Sequence, residues 1–133
     1  MSDTPSVGAR QLTIATRLGT DGVVLLRVIG EIDLATVPKL HSALRTSLVG
    51  PASPTAVRVD LAATSFIDAA GVGALVDARE AARRAGVGFA VDNPTGVVRR
   101  LLDILGLTDA LHVEVVPRSA TARPLPRPGP PPL

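Results

Sequence analysis

Two aspartates stand where apolar runs end, and they are the side chains best placed to meet another molecule. Val57-Arg58-Val59-Asp60-Leu61 alternates apolar and polar residues with the period of a strand. After a tight loop, Asp68 occupies the position of a helix N-cap, ahead of Ala69-Ala70-Gly71-Val72-Gly73-Ala74-Leu75-Val76. As a cap, its carboxylate accepts the backbone N–H of Ala70 or Gly71, donors that have no partner inside the helix, and this is worth ~1 kcal/mol. As a functional residue, it belongs to a binding surface around the helix start, and the two roles are compatible. Asp33 closes the run from Val23 through Gly30-Glu31-Ile32. A parallel sheet presents its strand C-termini at that edge, the usual place for ligands and partners; otherwise Asp33 is a turn or capping residue. Gly71 and Gly73 each cost a helix roughly 1 kcal/mol against Ala. In a first turn they point to the close approach of another backbone or of a partner surface, so Gly73→Val is expected to overpack the site.

Catalysis has little support. No Gly-x-Ser-x-Gly is present, so the Ser and Thr residues lack the usual frame of a nucleophile. His41 and His112 lie far apart in sequence, on the first helix and the last strand, and each reads as a structural histidine. No His-x-x-x-His or Asp-rich spacing points to a metal. Gly71-Val72-Gly73 lacks the Lys-Ser/Thr of a phosphate-binding loop, and Gly86-Val87-Gly88 reads as a helix-to-strand turn. Thr64 and Ser65 read as loop or strand-end residues. Neither an enzyme nor a cofactor site is expected.

Composition narrows the class further. A chain of 133 residues with 46% hydrophobic residues can bury one real core. With only Phe66 and Phe89 as aromatics, that core must consist of Val, Leu, Ile and Ala. The absence of Cys excludes disulfides and thiolate metal sites and fits a reducing cytoplasm. The N-terminal Met-Ser-Asp-Thr-Pro has neither a basic nor an apolar segment of a secretory signal, and no apolar run approaches a membrane span. The isoelectric point near 10.4 overstates the basicity, because the excess is only +2 and no Cys or Tyr titrates between His and Lys. Residues 117–133 carry Arg118, Arg123 and Arg127 without an acid, leaving the body at −1. A body with no basic stripe is not a nucleic-acid-binding surface.

The elements that position the two aspartates follow from periodicity. After a lead-in over residues 1–9, Gln11 to Arg17 reads as a first strand, Gly19-Thr20-Asp21-Gly22 as a turn, and Val23 to Ile29 as a central strand, the two runs forming an antiparallel hairpin. Thr36 caps a first helix with Pro38 in its first turn and Val37, Leu40, Leu44 and Leu48 at helical spacing. Gly50 to Pro54 forms a loop. The second helix runs to about Ala85 and ends at Gly86. Val87 to Val91 is a strand, Asn93-Pro94 opens a third helix as N-cap and N1, and Leu111 to Val116 is a last strand. Val97, Val98, Leu101, Leu102, Ile104 and Leu105 form the third helix's apolar face, which Gly106 closes. From Pro117 onward, Pro and Arg dominate a tail expected to stay disordered or extended. The order β-β-α-β-α-β-α-β implies an α/β domain over residues 10–116, with a mainly parallel sheet and one antiparallel N-terminal strand.

The stretch Val59-Asp-Leu-Ala-Ala-Thr-Ser-Phe-Ile-Asp-Ala-Ala-Gly-Val-Gly-Ala-Leu resembles the STAS domains, the bacterial anti-sigma factor antagonists or anti-anti-sigma factors. Gly30-Glu31-Ile32-Asp33, Gly86-Val87 and Arg99-Arg100-Leu101-Leu102 through Gly106-Leu107 agree with it. The resemblance implies a sequential β/α sheet with its helices packed on one face, and action in the cytoplasm. It also implies an anti-sigma factor as partner, typically a serine kinase, whose capture frees a sigma factor. The binding surface would include Asp33, Asp68, Ala69, Ala70 and Gly71. The family usually has Asp-Ser-Ser-Gly or Asp-Ser-Thr-Gly at this helix start, with the second hydroxyl as phosphoacceptor. Here the acceptor position is Ala70, so no phosphorylation is expected there. The family's final helix is also missing, replaced by Pro117 and the tail. An alternative reading is a small-molecule or nucleotide-binding sensor module, with its ligand at the strand C-termini.

The tail's composition yields a first test: a chain ending at Arg118 should melt within a few degrees of the intact protein, and a large loss in a thermal melt would show that the tail docks on the body.

Overall fold

The computed structural model describes residues 11–49 and 54–116; the expectations for the lead-in, for most of the loop at 50–54 and for the tail lie outside these residues. The first two strands, β1 (Leu12–Leu18) and β2 (Val23–Ile32), form the expected antiparallel hairpin, with Leu12 opposite Gly30 and Leu18 opposite Val24. Helix α1 (Val37–Leu48) follows with Thr36 at its N-cap and Pro38 in its first turn. β3 (Ala56–Asp60) then pairs parallel with the first half of β2, Val23 to Arg27.

The tight loop expected before Asp68 contains a strand. β4 (Thr64–Ile67) pairs parallel with the far end of β2, on the edge that β3 leaves free after Arg27. Four residues without clear alternation give too little periodicity to announce it. Thr64 is therefore a buried strand residue whose hydroxyl donates to the Val28 carbonyl at 2.8 Å, and Ser65 donates to the Gly30 carbonyl at 3.3 Å. The register shifts between Gly30 and Glu31. Gly30 has φ 121°, and a Cβ there would lie 2.3 Å from the Gln11 carbonyl oxygen, so only glycine fits this bulge.

Helix α2 (Ala69–Ala85) returns to β5 (Gly88–Asp92), parallel to β3, and α3 (Gly96–Ile104) leads to β6 (Val113–Glu114), parallel to β5. The sheet order is β1-β2-β3-β5-β6 with β4 beside β2. Three expectations change at the C-terminal end. α3 starts at Gly96 with Thr95 at its N-cap. Asn93 adopts φ 56°, its side chain exchanging two hydrogen bonds with the Val116 backbone at 2.7 and 3.0 Å, so it clamps the chain after β6 instead of capping a helix. The last strand has two residues, and His112 precedes it in a turn at φ 51°. Of α3's apolar positions, Val98 and Leu102 are fully buried, whereas Val97, Ile104 and Leu105 are exposed.

Strand parity divides the sheet into two unlike faces. Val24, Leu26, Val28, Val57, Val59 and Val91 share one face and one core with Leu40 and Leu44 of α1, Val72 and Leu75 of α2, and Val98 and Leu102 of α3. All three helices thus pack on one side. The other face carries a rung of charge, Arg27, Asp60, Asp92 and Glu114, adjacent across four strands. Three neighbouring carboxylates would repel. Arg58, two residues before Asp60 on the same face, relieves this. Its Nε and Nη2 donate to both Asp92 oxygens at 2.8 and 2.9 Å, and Nη2 reaches Glu114 at 2.6 Å. Arg27 Nε donates to Asp60 at 3.3 Å. Arg58 is 5% and Asp92 0% exposed. Burial, the largest cause, pushes the Asp92 carboxyl above its usual range, and the Arg58 hydrogen bonds work against that rise. Residues that read as the polar half of an alternating strand are therefore an ionic tie across β3, β5 and β6, buried at Arg58 and Asp92 and open to solvent at Glu114.

Truncating only one side of this tie leaves a buried charge alone. Arg58→Met should destabilise by ~3–5 kcal/mol, while Arg58→Met with Asp92→Leu should recover most of that loss. Urea unfolding of the single and double variants measures both; equal losses in the two would show that the pair is not coupled.

Candidate functional site

The site begins with strand register. Ile32 and Ile67 are partners in the parallel β2–β4 pair, and the next residue of each chain is an aspartate, so Asp33 and Asp68 leave the sheet side by side. The Asp68 N–H donates to the Ile32 carbonyl at 3.1 Å, which ties the two exits together. Each carboxylate then organises its own turn. Asp33 Oδ1 accepts from the N–H groups of Ala35 and Thr36 at 2.9 and 3.0 Å, an Asx turn that aims the chain into α1. The Thr36 hydroxyl points back, donating to the Glu31 carbonyl at 2.8 Å and accepting the Asp33 N–H at 2.9 Å. It caps the exit of β2 and makes no side-chain cap to α1. Asp68, with extended backbone, accepts the Gly71 N–H at 3.1 Å, one of the two donors expected from the sequence.

Glycine separates the two expectations for the first turn of α2. A Cβ on Gly71 would lie 2.5 Å from Ile32 Cγ2 and 2.6 Å from Ile67 Cγ1, so the helix start sits directly on the paired isoleucines. Side chains, not another backbone, make this close approach. Gly73 is exposed, and a Cβ there would meet nothing within 4 Å. The overpacking expected for Gly73 is thus overturned, because Gly73 faces away from the sheet.

The five candidate residues are brought to one edge. Asp33, Asp68 and Ala70 are half-buried, Ala69 is exposed and Gly71 is buried beneath them. Two exposed residues that sequence reasoning passed over, Leu34 at 77% exposure and Ala35, extend the edge beside Asp33. A Leu immediately after a strand-ending Asp was the available signal. The surface therefore combines small neutral side chains, one exposed Leu, and two carboxylates engaged with backbone N–H groups. It holds no nucleophile–base pair. The two histidines stay apart from this edge, His41 on α1 and His112 in the turn before β6. Among the described residues no cluster of His, Asp or Glu is arranged for a metal, and no helix is long and apolar enough to cross a membrane.

Comparison with known proteins places this arrangement among relatives. A family model described as the STAS domain matches residues 15–122. An anti-sigma-B factor antagonist of Listeria monocytogenes is 32% identical over 89 residues, covering 67% of this chain and 76% of that protein. The crystal structure of an anti-sigma factor antagonist from Mycobacterium paratuberculosis superposes with a TM-score of 0.71 at 27% identity, over 84% of this chain and 92% of that one. The anti-sigma factor antagonist SpoIIAA in its unphosphorylated form shares the fold, with a TM-score of 0.71 at 20% identity over 82% of this chain and 92% of its own.

The two glycines give opposite expectations. Gly71→Ala should destabilise by roughly 1–3 kcal/mol, because neither β-branched isoleucine can swing away. Gly73→Ala should stabilise by up to ~1 kcal/mol through helix propensity alone. Denaturant midpoints of the two variants check the pair, and a neutral Gly71→Ala would show that the helix start does not rest on Ile32 and Ile67.

Proposed function

The chain belongs to the STAS domain family, and from that premise we propose that it is an anti-sigma factor antagonist: a non-enzymatic module of the cytoplasm that binds an anti-sigma factor of the serine-kinase type and so releases a sigma factor. The observation that carries this reading is the exposed start of α2, where Asp68 closes the cap and Ala69 and Ala70 present small neutral side chains beside Asp33 and Leu34. Two relatives bear the name anti-sigma-B factor antagonist, and the Mycobacterium structure bears that of an anti-sigma factor antagonist, which supports the same role.

Asp33, Asp68, Ala69, Ala70 and Gly71 form the docking surface in this reading, with the first four in contact with the partner and Gly71 fixing the height of the helix start. SpoIIAA has been solved in phosphorylated and unphosphorylated forms. A phosphate at a helix N-terminus is tolerated by the fold, since free N–H groups and the positive end of the dipole face it. It also adds nearly two negative charges to a partner surface, which disrupts docking. Ala69 and Ala70 have no hydroxyl, and Thr64, the buried upstream hydroxyl, is committed to the Val28 carbonyl. With no hydroxyl at the family's acceptor position, the chain in this reading would stay binding-competent or be controlled elsewhere.

Ala70→Asp tests function and mechanism together. A carboxylate near the helix N-terminus should leave the fold intact or firmer by ~0.3–1 kcal/mol. It should also weaken binding to purified serine-kinase anti-sigma factors of the same host, because it places a charge in an interface shaped around a methyl group. Stability and affinity should move in opposite directions. Wild type should take up no phosphate from such a kinase and ATP at this helix start, while Ala70→Ser should accept it. Undiminished binding by Ala70→Asp would remove the helix start from the docking surface.

A further inference from the structure

Away from the helix start, α1 and α2 enclose a groove of about 240 Å³ on the outer side of the helix layer. Its floor is apolar: Leu44 and Leu48 from one helix and Ala74, Ala78 and Ala81 from the other. The alanines are the reason for the space, since positions 74, 78 and 81 lie on one face of α2 and carry no side chain long enough to reach α1. The groove runs past positions 41 to 49 of α1 and 74 to 84 of α2, a length of roughly 12–15 Å at the helical rise. A single extended hydrocarbon chain matches this length and the apolar floor beneath it.

Charge at the rim selects the head group. Arg45 and Arg84 belong to the last turns of their helices, with His41 one turn before Arg45 and Asp77 as the acid of the wall. Arg45 makes no ion pair among the described residues. Arg84 lies 3.8 Å from a Glu80 carboxylate that Arg83 already engages directly and Arg79 also approaches at 3.8 Å, so one acid is shared among three guanidinium groups. The helix C-termini use part of this positive charge. The remainder surrounds the mouth of an apolar slot, which is the recognition chemistry of an amphipathic anion with a planar head.

We propose that the α1–α2 groove is a binding site for an unbranched medium-chain carboxylate, its chain on Leu44, Leu48 and the alanines and its head on Arg45 and Arg84. This site lies along the body of α2, separate from the strand C-termini, and it stands whether or not the helix start docks an anti-sigma factor.

The test uses the full chain and sodium decanoate below its micelle concentration, followed by calorimetry and by amide chemical-shift mapping. Decanoate should bind saturably to one site with Kd about 1 mM or tighter, shifting amides of residues 41–49 and 74–84. Ala81→Leu, at a half-buried position, fills the slot and should abolish binding with the fold retained. Arg45→Gln with Arg84→Gln should weaken decanoate about tenfold and leave decanol unchanged. Non-saturable uptake, shifts elsewhere, binding that survives Ala81→Leu, or equal loss of decanoate and decanol in the double variant would each overturn the proposal.

Discussion

The contact of Gly71 with Ile32 and Ile67 sets the geometry on which the functional edge depends. Ile32 and Ile67 are partners across two parallel strands, and the helix start lies so close above them that no side chain is allowed. This seat fixes where α2 begins, and hence where Asp68, Ala69 and Ala70 are displayed. Because the same register places Asp33 beside Asp68, one packing constraint decides both turns. Two features upstream serve that seat: the register shift between Gly30 and Glu31 sets Ile32 opposite Ile67, and the Thr64 hydroxyl pins β4 to Val28.

The two faces of the sheet divide the work between packing and charge. Helices cover the face of Val, Leu and Ile, where burial supplies the dispersive contacts that hold a fold with almost no aromatics. On the reverse face, Arg58 gathers Asp92 and Glu114 into one network and joins the short last strand to the centre of the sheet. A two-residue strand has few ladder hydrogen bonds of its own, so the ionic tie and the Asn93 clamp carry much of its attachment. Neither feature touches the edge bearing Asp33 and Asp68.

Much of this was legible in the chain, for definite reasons. The hairpin, α1 and α2 came from clear periods of 2 and 3.6 and from punctuation by Thr36, Asp68 and Gly86, each of which has a local physical cause. The helix start was legible because an N-cap aspartate acts on its own next residues. β4 was hidden, since its strand character derives from pairing with β2 more than thirty residues earlier. Asn93 misled for a related reason: Asn-Pro is a good helix opening, but here its side chain is claimed by the Val116 backbone. Gly71 and Gly73 look alike in sequence, and only the direction of the sheet separates the packed one from the exposed one. Arg58 read only as a polar member of an alternating strand, because alternation reports the face of a strand and says nothing of ion pairs formed across three strands.

Amide hydrogen exchange of the chain alone and in complex with a serine-kinase anti-sigma factor tests the central claim most directly. The first N–H groups of α2 have no acceptor within the helix, so they exchange readily when the edge is open. Docking on this edge predicts slowed exchange at Ala69 and Ala70 together with Leu34 and Ala35, and little change at β5 and β6. Protection confined to other segments, with the helix start exchanging as fast in the complex as in the free chain, would contradict it.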